Sequence, residues 1–224
     1  PEMRILLEDG PILVVLGESS ETGERFDARD PALVAALAGR CGWTGTVHSA
    51  EQVHGTRILR SGEAGPGDAF LLRAGEAAAI RIADCWPVVV ADPVRAMAMV
   101  AHCGWRGAVA GLAADSVRTL LEQGSRPDDL AASCGPGISA SSFEVGPEVL
   151  AAFPQACHAR TSRGTPSIDL GAFLRDQLVG EGVRPERIRM DARDTMTDPC
   201  LHSHRRDGAH AGRMACVCLV RQVV

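Results

Sequence analysis

The feature that most restricts the fold is a series of three short apolar runs in the middle of the chain. They occupy residues 77–83, 88–91 and 96–101, and turn signals such as Asp92-Pro93 separate them. Short runs of small and branched apolar residues between turns are typical of buried β-strands. The series therefore predicts a sheet whose strands follow one another closely and are covered on both faces.

Helical patterns surround this sheet without regular alternation. Apolar spacing predicts amphipathic helices over 107–123 and 169–181, and Asp30-Pro31 predicts the start of a helix over 32–39. Two further strands are expected at 188–190 and 214–220. This mixture predicts an α+β fold, a layered sandwich of mixed β-sheets flanked by helices. Because no linker divides the 224 residues, we expect one domain over 1–224.

Charge and apolar run length exclude two classes of partner. The formal net charge is -5 and basic runs are absent, so no nucleic acid is expected. No apolar run approaches the roughly 20 residues that cross a bilayer, and residues 1–10 show no signal-peptide pattern. We therefore expect no membrane association and a cytoplasmic location. The eight cysteines are then expected to be free thiols.

Three polar motifs interrupt the apolar pattern and carry candidate metal ligands. QVHG at 52–55 holds His54, ADCWP at 83–87 holds Cys85, and HCGWRG at 102–107 holds His102. These motifs supply two imidazoles and one thiol, and a catalytic zinc is usually held by three protein ligands with its fourth position open. In the third motif, glycines and the start of the predicted helix favour an anion, and Arg106 adds a donor fork suited to phosphate.

Two more motifs complete a resemblance that runs from about residue 52 to the C-terminus. They are GPGISASSFEVG at 135–146 and SHRRDGAHAGRM at 203–214. In order and spacing, the five motifs resemble the YfiH-type family, formerly called multicopper polyphenol oxidases or laccase-domain proteins. The resemblance implies a zinc-dependent purine nucleoside phosphorylase with adenosine deaminase activity, acting on adenosine, inosine, guanosine and methylthioadenosine. It also implies a mixed-sheet sandwich, and a monomer or homodimer.

The same resemblance implies roles for individual residues. Zinc would lie on His54, Cys85 and His102, with copper as the less favoured metal. Expected catalytic residues are Glu144, Asp84 and Arg106, with Asp84 as the partner that orients a ligating histidine. Phosphate or substrate contacts are expected from Arg106, Gly107, Arg205 and Arg206. Glu144 could instead be a turn acid before the Pro147 helix, and the two arginines a solvated pair paired with Asp207.

The chain also departs from the family pattern. The segment 1–45 is shortened and divergent, and GESSETGERFD at 17–27 stands where a Thr-Arg-x-Gly-Gly-Val-Ser stretch is expected. Arg25 is the candidate substitute for the missing arginine. A cysteine, Cys103, replaces the usual alanine beside His102, and His204 replaces a tyrosine beside the arginine pair.

Three alternative functions remain open from the sequence. A cysteine hydrolase would use Cys85 as nucleophile and His102 as its base. A degenerate, non-catalytic family member would explain the divergent N-terminal segment. A copper polyphenol oxidase is least favoured, because laccases need several His-x-His pairs, and 202–204 is the one such pair among seven histidines.

Overall fold

Two β-sheets packed face to face form the centre of the computed structural model, which describes residues 2–222. The four-stranded sheet has the order β1-β2-β12-β5 and is antiparallel throughout. The six-stranded sheet has the order β11-β8-β6-β7-β4-β3, and it is mixed, because β11–β8 and β3–β4 are parallel pairs. The described strands are β1 (Glu2–Asp9), β2 (Ile12–Glu18), β3 (Ile58–Arg60), β4 (Ala69–Arg73), β5 (Glu76–Ile82), β6 (Trp86–Asp92), β7 (Met97–Cys103), β8 (Ala131–Cys134), β9 (His158–Arg160), β10 (Pro166–Ile168), β11 (Ile188–Met190) and β12 (Met214–Val220).

Helices cover both outer faces of this pair of sheets. The described α-helices are α1 (Pro31–Arg40), α2 (Trp105–Val109), α3 (Leu112–Glu122), α4 (Pro147–Ala152), α5 (Leu170–Gly180) and α6 (His204–Asp207). Helix α1 packs through Leu37 on the outside of the four-stranded sheet, whereas α3 and α5 pack on the outside of the six-stranded sheet. The arrangement confirms the predicted layered sandwich of mixed sheets and helices.

The apolar core between the sheets explains why the apolar runs in the sequence predicted strands. Alternate residues of β12, among them Cys216 and Cys218, face the six-stranded sheet, while Val217 and Leu219 face α1. Strands covered on both faces read as continuous apolar runs, as in β6 and β7, where every residue is buried. All eight cysteines are free. Among the helices of residues 2–222, none is long and apolar enough to span a membrane.

One predicted helix was wrong in a way that matters for the site. The pattern over 107–123 predicted a continuous helix, but the chain forms α2 and α3 with a break at Gly111 (φ +92°). Glycine adopts this left-handed conformation without the steric cost of a Cβ atom. The motif that contains His102 therefore leads into a helix of five residues, and the long helix begins only at Leu112.

Candidate metal centre and cavity

Three candidate metal ligands come together at one edge of the six-stranded sheet. His54 lies in the loop before β3, Cys85 in the link between β5 and β6, and His102 near the end of β7. Their ligand atoms all lie within 4.8 Å of one another. The two imidazole rings meet edge to face, with centroids 4.9 Å apart. The structure thus brings together the trio that the motifs suggested.

The buried carboxylate of Asp68, just before β4, holds the loop of His54 in place. Asp68 accepts hydrogen bonds from the backbone N–H groups of Val53 (3.1 Å), His54 (2.9 Å) and Gly55 (2.8 Å). His54 is in the left-handed region (φ +60°), which costs a non-glycine residue about 1–2 kcal/mol. The three hydrogen bonds to one carboxylate offset this cost and fix the direction of the imidazole.

The same carboxylate orients the second histidine. His102 Nδ1 lies 2.8 Å from Asp68 Oδ1, and the side chain of Asp68 is fully buried. This contact leaves Nε2 of His102 as the nitrogen free to bind a metal. The motifs assigned this role to Asp84, which was wrong, because the Asp84 carboxylate contacts Thr195 and Arg205, and Asp68 was missed. The available signal was an acidic residue placed immediately before a buried strand.

The cluster strongly changes the protonation of its members. Burial alone would raise the pKa of the Cys85 thiol, but hydrogen bonds from His102 and His54 lower it to about 6. Burial would lower the pKa of His102, but Asp68 and Cys85 raise it to about 9. Burial also opposes the charge on Asp68, yet His102 and the backbone donors keep its pKa below the usual value. In the absence of a metal, a thiolate beside an imidazolium is therefore the favoured state at neutral pH.

The donor set and the space around it fit a zinc ion. Two imidazole nitrogens and one thiolate are a common zinc set, and three protein ligands leave one position open. A Cβ atom at Gly104 would lie 2.8 Å from His54 Cδ2 and 3.1 Å from Cys85 Sγ. The glycine that follows Cys103 thus keeps room for the two ligands to converge. Cys103 itself is buried in the core beside α3, and burial raises its pKa well above the usual value.

A cavity of about 420 Å³ opens beside the cluster. Its lining includes all three candidate ligands and three arginines, and it consists of Gln52, His54, Arg81, Ala83, Asp84, Cys85, His102, Ile138, Phe143, His204, Arg205 and Arg213. Three guanidinium groups give this wall a positive charge although the chain as a whole is acidic. The cavity therefore combines a metal-type cluster with a wall suited to an anion.

The guanidinium groups of the three cavity arginines donate to carbonyl groups, not to carboxylates. Arg81 donates to Ala50 O (3.0 Å), Arg205 to Glu144 O (2.9 Å), and Arg213 to Ala211 O and Gly212 O (3.0 and 2.9 Å). Between residues 2 and 222, none of the three forms an ion pair with a carboxylate. Their charges are therefore available to a bound ligand.

The four residues expected to contact phosphate lie in different places. Arg205 lines the cavity, whereas Arg106 lies outside its lining and stacks on Trp105, 4.3 Å from the ring centroid. Gly107 packs against Gly55 O. Arg206 turns away from Arg205, forms an ion pair with Asp207 (2.9 Å), and donates to carbonyl groups of the 195–201 loop.

The two acidic residues of the predicted catalytic set also make other contacts than expected. The carboxylate of Glu144 is half-exposed and forms an ion pair with Arg163 (3.1 Å), and helix α4 is capped by Gly146 without a side-chain bond. Asp84 does line the cavity. Its carboxylate accepts hydrogen bonds from the Thr195 hydroxyl and the Arg205 backbone N–H, both at 2.6 Å.

Among the described residues 2–45 of the divergent N-terminal segment, none lies in the lining of this cavity. Arg25, the candidate substitute for the missing arginine, lies at a separate small cavity with His202 and His210. Arg81 and Arg213 stand in the wall instead, and the sequence analysis missed both. Arg81 carried a signal, because it is a charged residue between the buried Ile80 and Ile82 of β5. For Arg213, no local signal distinguished it from the other arginines near the C-terminus.

Comparisons with known proteins agree on one relationship. Residues 31–221 match the family model described as "Multi-copper polyphenol oxidoreductase laccase". A purine nucleoside phosphorylase of Mycobacterium tuberculosis is 37% identical over 201 residues, covering 83% of this chain and 79% of that protein. Adenosine deaminase RL5, from an unknown prokaryotic organism, is 34% identical over 60% of this chain and 54% of its own length.

Solved structures support the same architecture. YlmD from Geobacillus stearothermophilus superimposes with a TM-score of 0.83 at 24% identity, covering 95% of this chain and 93% of that one. The YfiH protein of Bacillus licheniformis gives a TM-score of 0.81 at 22% identity, with 94% and 93% covered. At these identities, the likeness establishes the fold.

Proposed function

Because this chain belongs to the laccase-like multi-copper polyphenol oxidoreductase family, we propose that it is a zinc-dependent purine nucleoside phosphorylase that also deaminates adenosine. The proposed substrates are adenosine, inosine, guanosine and methylthioadenosine, which phosphate would cleave to the free base and the ribose 1-phosphate. The relatives named as phosphorylases and as a deaminase support both activities. The nucleosides and phosphate are the partners that we propose, in the cytoplasm.

One observation supports the proposal most: a His/Cys/His cluster shares a cavity with three arginines whose guanidinium groups form no ion pair with a carboxylate of residues 2–222. A nucleoside phosphorylase must bind a neutral nucleoside and a phosphate anion side by side. Placing three uncompensated guanidinium groups in one cavity of an acidic protein has a repulsive cost that a bound anion relieves. The cluster alone would suit many metal enzymes, but the cluster and the arginines together favour a substrate that includes an anion.

His54, Cys85 and His102 would hold the zinc ion. When bound there, zinc supplies Lewis acidity and lowers the pKa of a coordinated water to about 7. Asp68 holds the backbone of His54 and occupies Nδ1 of His102, so that Nε2 of His102 would face the ion. Copper is the less favoured metal. The described residues contain one metal-type cluster, whereas a laccase combines such a centre with a group of three coppers.

Phosphate would be held mainly by Arg205, with Arg81 and Arg213 on the same wall. A planar guanidinium donates two parallel hydrogen bonds to phosphate oxygens, which fixes the anion for attack on C1′ of the ribose. Phosphate binding by Arg106, Gly107 and Arg206 stays a sequence-based prediction. Their contacts to Trp105, to Gly55 and to backbone carbonyls give it less support.

The nucleoside would lie against the apolar part of the lining. Phe143 and Ile138 offer a surface on which a planar purine can stack. His204 is the cavity histidine outside the candidate metal ligands, and we propose that it protonates the leaving base. Catalytic use of Glu144 stays a prediction, and its ion pair with Arg163 gives it less support than the position of His204.

Two assays on the purified protein test this function. Zinc is first quantified by mass spectrometry, and inosine and adenosine turnover are then followed by ultraviolet absorbance with and without phosphate. We expect inosine to yield hypoxanthine only when phosphate is present, and adenosine to yield inosine without phosphate. Absence of product from both nucleosides, with stoichiometric zinc bound, would contradict the proposal and favour a non-catalytic family member.

The lowered pKa of Cys85 beside His102 keeps a cysteine hydrolase as the second candidate, since this is the ionic state of a nucleophilic cysteine. Zinc and iodoacetamide distinguish the two candidates. The phosphorylase requires bound zinc, which shields the thiolate from alkylation. Turnover by a zinc-free protein, with activity lost on alkylation of Cys85, would support the hydrolase instead.

A further inference from the structure

We propose that Thr195 and Asp84 are positioning residues that hold Arg205 for phosphate, so that phosphorolysis depends on them and deamination does not. The inference rests on the proposed function, because it assigns the phosphate contact to Arg205. It concerns two residues that hydrogen bonds connect to each other and to Arg205, Asp84 in the cavity lining and Thr195 outside it. They act through the arginine that forms part of the cavity wall.

Both oxygens of the Asp84 carboxylate are occupied by donors. The Thr195 hydroxyl donates to Oδ1 and the backbone N–H of Arg205 donates to Oδ2, each over 2.6 Å. Asp84 is in the left-handed region (φ +81°), and its own carbonyl accepts from Ile138 N (2.9 Å). A carboxylate engaged on both oxygens within a constrained loop is suited to holding another group in place, more than to exchanging protons.

Arg205 is consequently fixed at both ends. Its backbone lies in the first turn of α6, a four-residue helix whose start is capped by Ser203, which accepts from Arg206 N (3.1 Å). Its guanidinium donates to Glu144 O (2.9 Å) and lies 5.7 Å from the Phe143 ring. Because so short a helix has little stability of its own, its orientation depends on such side-chain contacts. The hydrogen bond from the Arg205 N–H to Asp84 connects that turn to the loop next to Cys85.

Thr195 supplies one specific hydrogen bond, since its backbone is held independently. Its N–H donates to Gly137 O (3.2 Å), and its carbonyl accepts from Arg206. The residue is fully buried. Removing the hydroxyl while keeping the shape would leave the loop in place and free the Asp84 carboxylate to rotate. The position of Arg205 would then be less well defined.

The two proposed reactions differ in whether they need that arginine. In phosphorolysis, a phosphate oxygen bonds to C1′, the bond from C1′ to the base nitrogen breaks, and the base takes up a proton. In deamination, water adds at C6 and ammonia leaves, so no phosphate takes part. A displaced Arg205 therefore raises the KM for phosphate in phosphorolysis and leaves the deamination of adenosine unchanged.

The test compares Thr195→Val, which is isosteric and lacks the hydroxyl, with Thr195→Ser, which keeps it. Zinc content and melting temperature are checked first, and both reactions are then assayed. We expect Thr195→Val to raise the KM for phosphate by about tenfold, the effect of weakening one hydrogen bond to a charged group, and to leave adenosine deamination unchanged. Thr195→Ser should restore the wild-type KM. An equal loss in both reactions, or no restoration by serine, would overturn the inference.

A binding measurement separates this inference from the proposed function. Inorganic phosphate alone is titrated into wild-type and Thr195→Val protein by calorimetry, and we expect about tenfold weaker binding by the variant. If the wild-type protein shows no phosphorolysis, the proposed function fails, whereas equal phosphate affinity of the two proteins overturns only the positioning role. Should Thr195→Val unfold, Asp84→Asn replaces it, since an amide accepts through one oxygen only, and the same shift in phosphate affinity is expected.

Discussion

The two halves of the cavity are built in different ways. The metal-type half is formed by side chains at the edge of one sheet, and one buried carboxylate, Asp68, contacts both histidine positions. The arginine half collects Arg81 from β5, Arg205 from α6 and Arg213 from the segment before β12. The guanidinium group of each arginine donates to backbone carbonyls of a different segment, and no shared group joins the three.

The two halves therefore need different degrees of rigidity. A metal ion requires ligand positions within a few tenths of an ångström, and a common hydrogen-bond acceptor on a sheet edge provides them. Anion binding by long arginine side chains tolerates larger displacement. We therefore expect substitutions in the metal half to affect both reactions together, and substitutions in the arginine half to affect them separately.

Metal removal is expected to have the largest effect. Chelation should abolish both activities, and Cys85 of the metal-free protein should then react with iodoacetamide. Because the pKa of this thiol is about 6, the thiolate forms as pH rises through 6, and alkylation should reach half its maximal rate near that pH instead of near 8.5. The rate is measured by mass spectrometry, with Cys85→Ser as control. A midpoint near 8.5 would contradict the contact with the two histidines.

Asp68→Asn should come next. The amide can orient one donor where the carboxylate orients several, so we expect zinc affinity to fall by about 10- to 100-fold. Both reactions should recover together when zinc is added in excess, as measured by competition with a chelating dye and by activity. Loss of only one reaction at saturating zinc would contradict the expectation that the metal half serves both reactions.

Arg205→Ala is expected to raise the KM for phosphate by about 10- to 100-fold, because charge-assisted hydrogen bonds to the anion are lost. Deamination of adenosine should be nearly unaffected. Arg126→Ala, an exposed arginine paired with Asp129 on the surface, is the matched control and should leave both reactions as they are. Equal losses in both reactions would contradict the expectation that the arginine half affects phosphorolysis alone.

Arg206→Lys should have the smallest effect on function. The guanidinium of Arg206 donates to four carbonyl groups of one loop, and lysine cannot reproduce this fork. We expect the free energy of unfolding to fall by about 1–2 kcal/mol, measured by urea denaturation. The KM for phosphate should change less than in Arg205→Ala. A larger change would support the sequence-based prediction that both adjacent arginines bind phosphate.

The sequence predicted the metal half better than the arginine half, and the reason is physical. His54, Cys85 and His102 lie in motifs where glycine, proline and polar residues interrupt apolar strands, so each is locally conspicuous. Asp68 was missed because its function is defined by the residues it contacts, 13 to 34 positions away in the chain. No local pattern records such a contact.

The fold shows the same division between local and distant information. The helix start at Asp30-Pro31 was predicted, and Asp30 indeed accepts from Ala32 N in α1. Strands β5, β6, β7, β11 and β12 followed from their apolar runs. Strand β1 was not predicted, since charged residues in Glu2–Asp9 mask an edge strand that is half exposed. Strand β2 was missed although every residue of Ile12–Glu18 is buried. The break at Gly111 was overlooked because the apolar spacing continues through it.

The hydrogen bonds around Asp68 have a consequence for how the protein acquires its metal. They join the His54 loop and the His102 ring to Asp68, beside β4. The binding site for the ion therefore forms when the sheet folds. The proposed zinc ion would then enter and leave a finished protein without unfolding it, unlike the ion of a zinc finger, whose binding drives folding. The fraction of active molecules would follow the supply of free zinc around them.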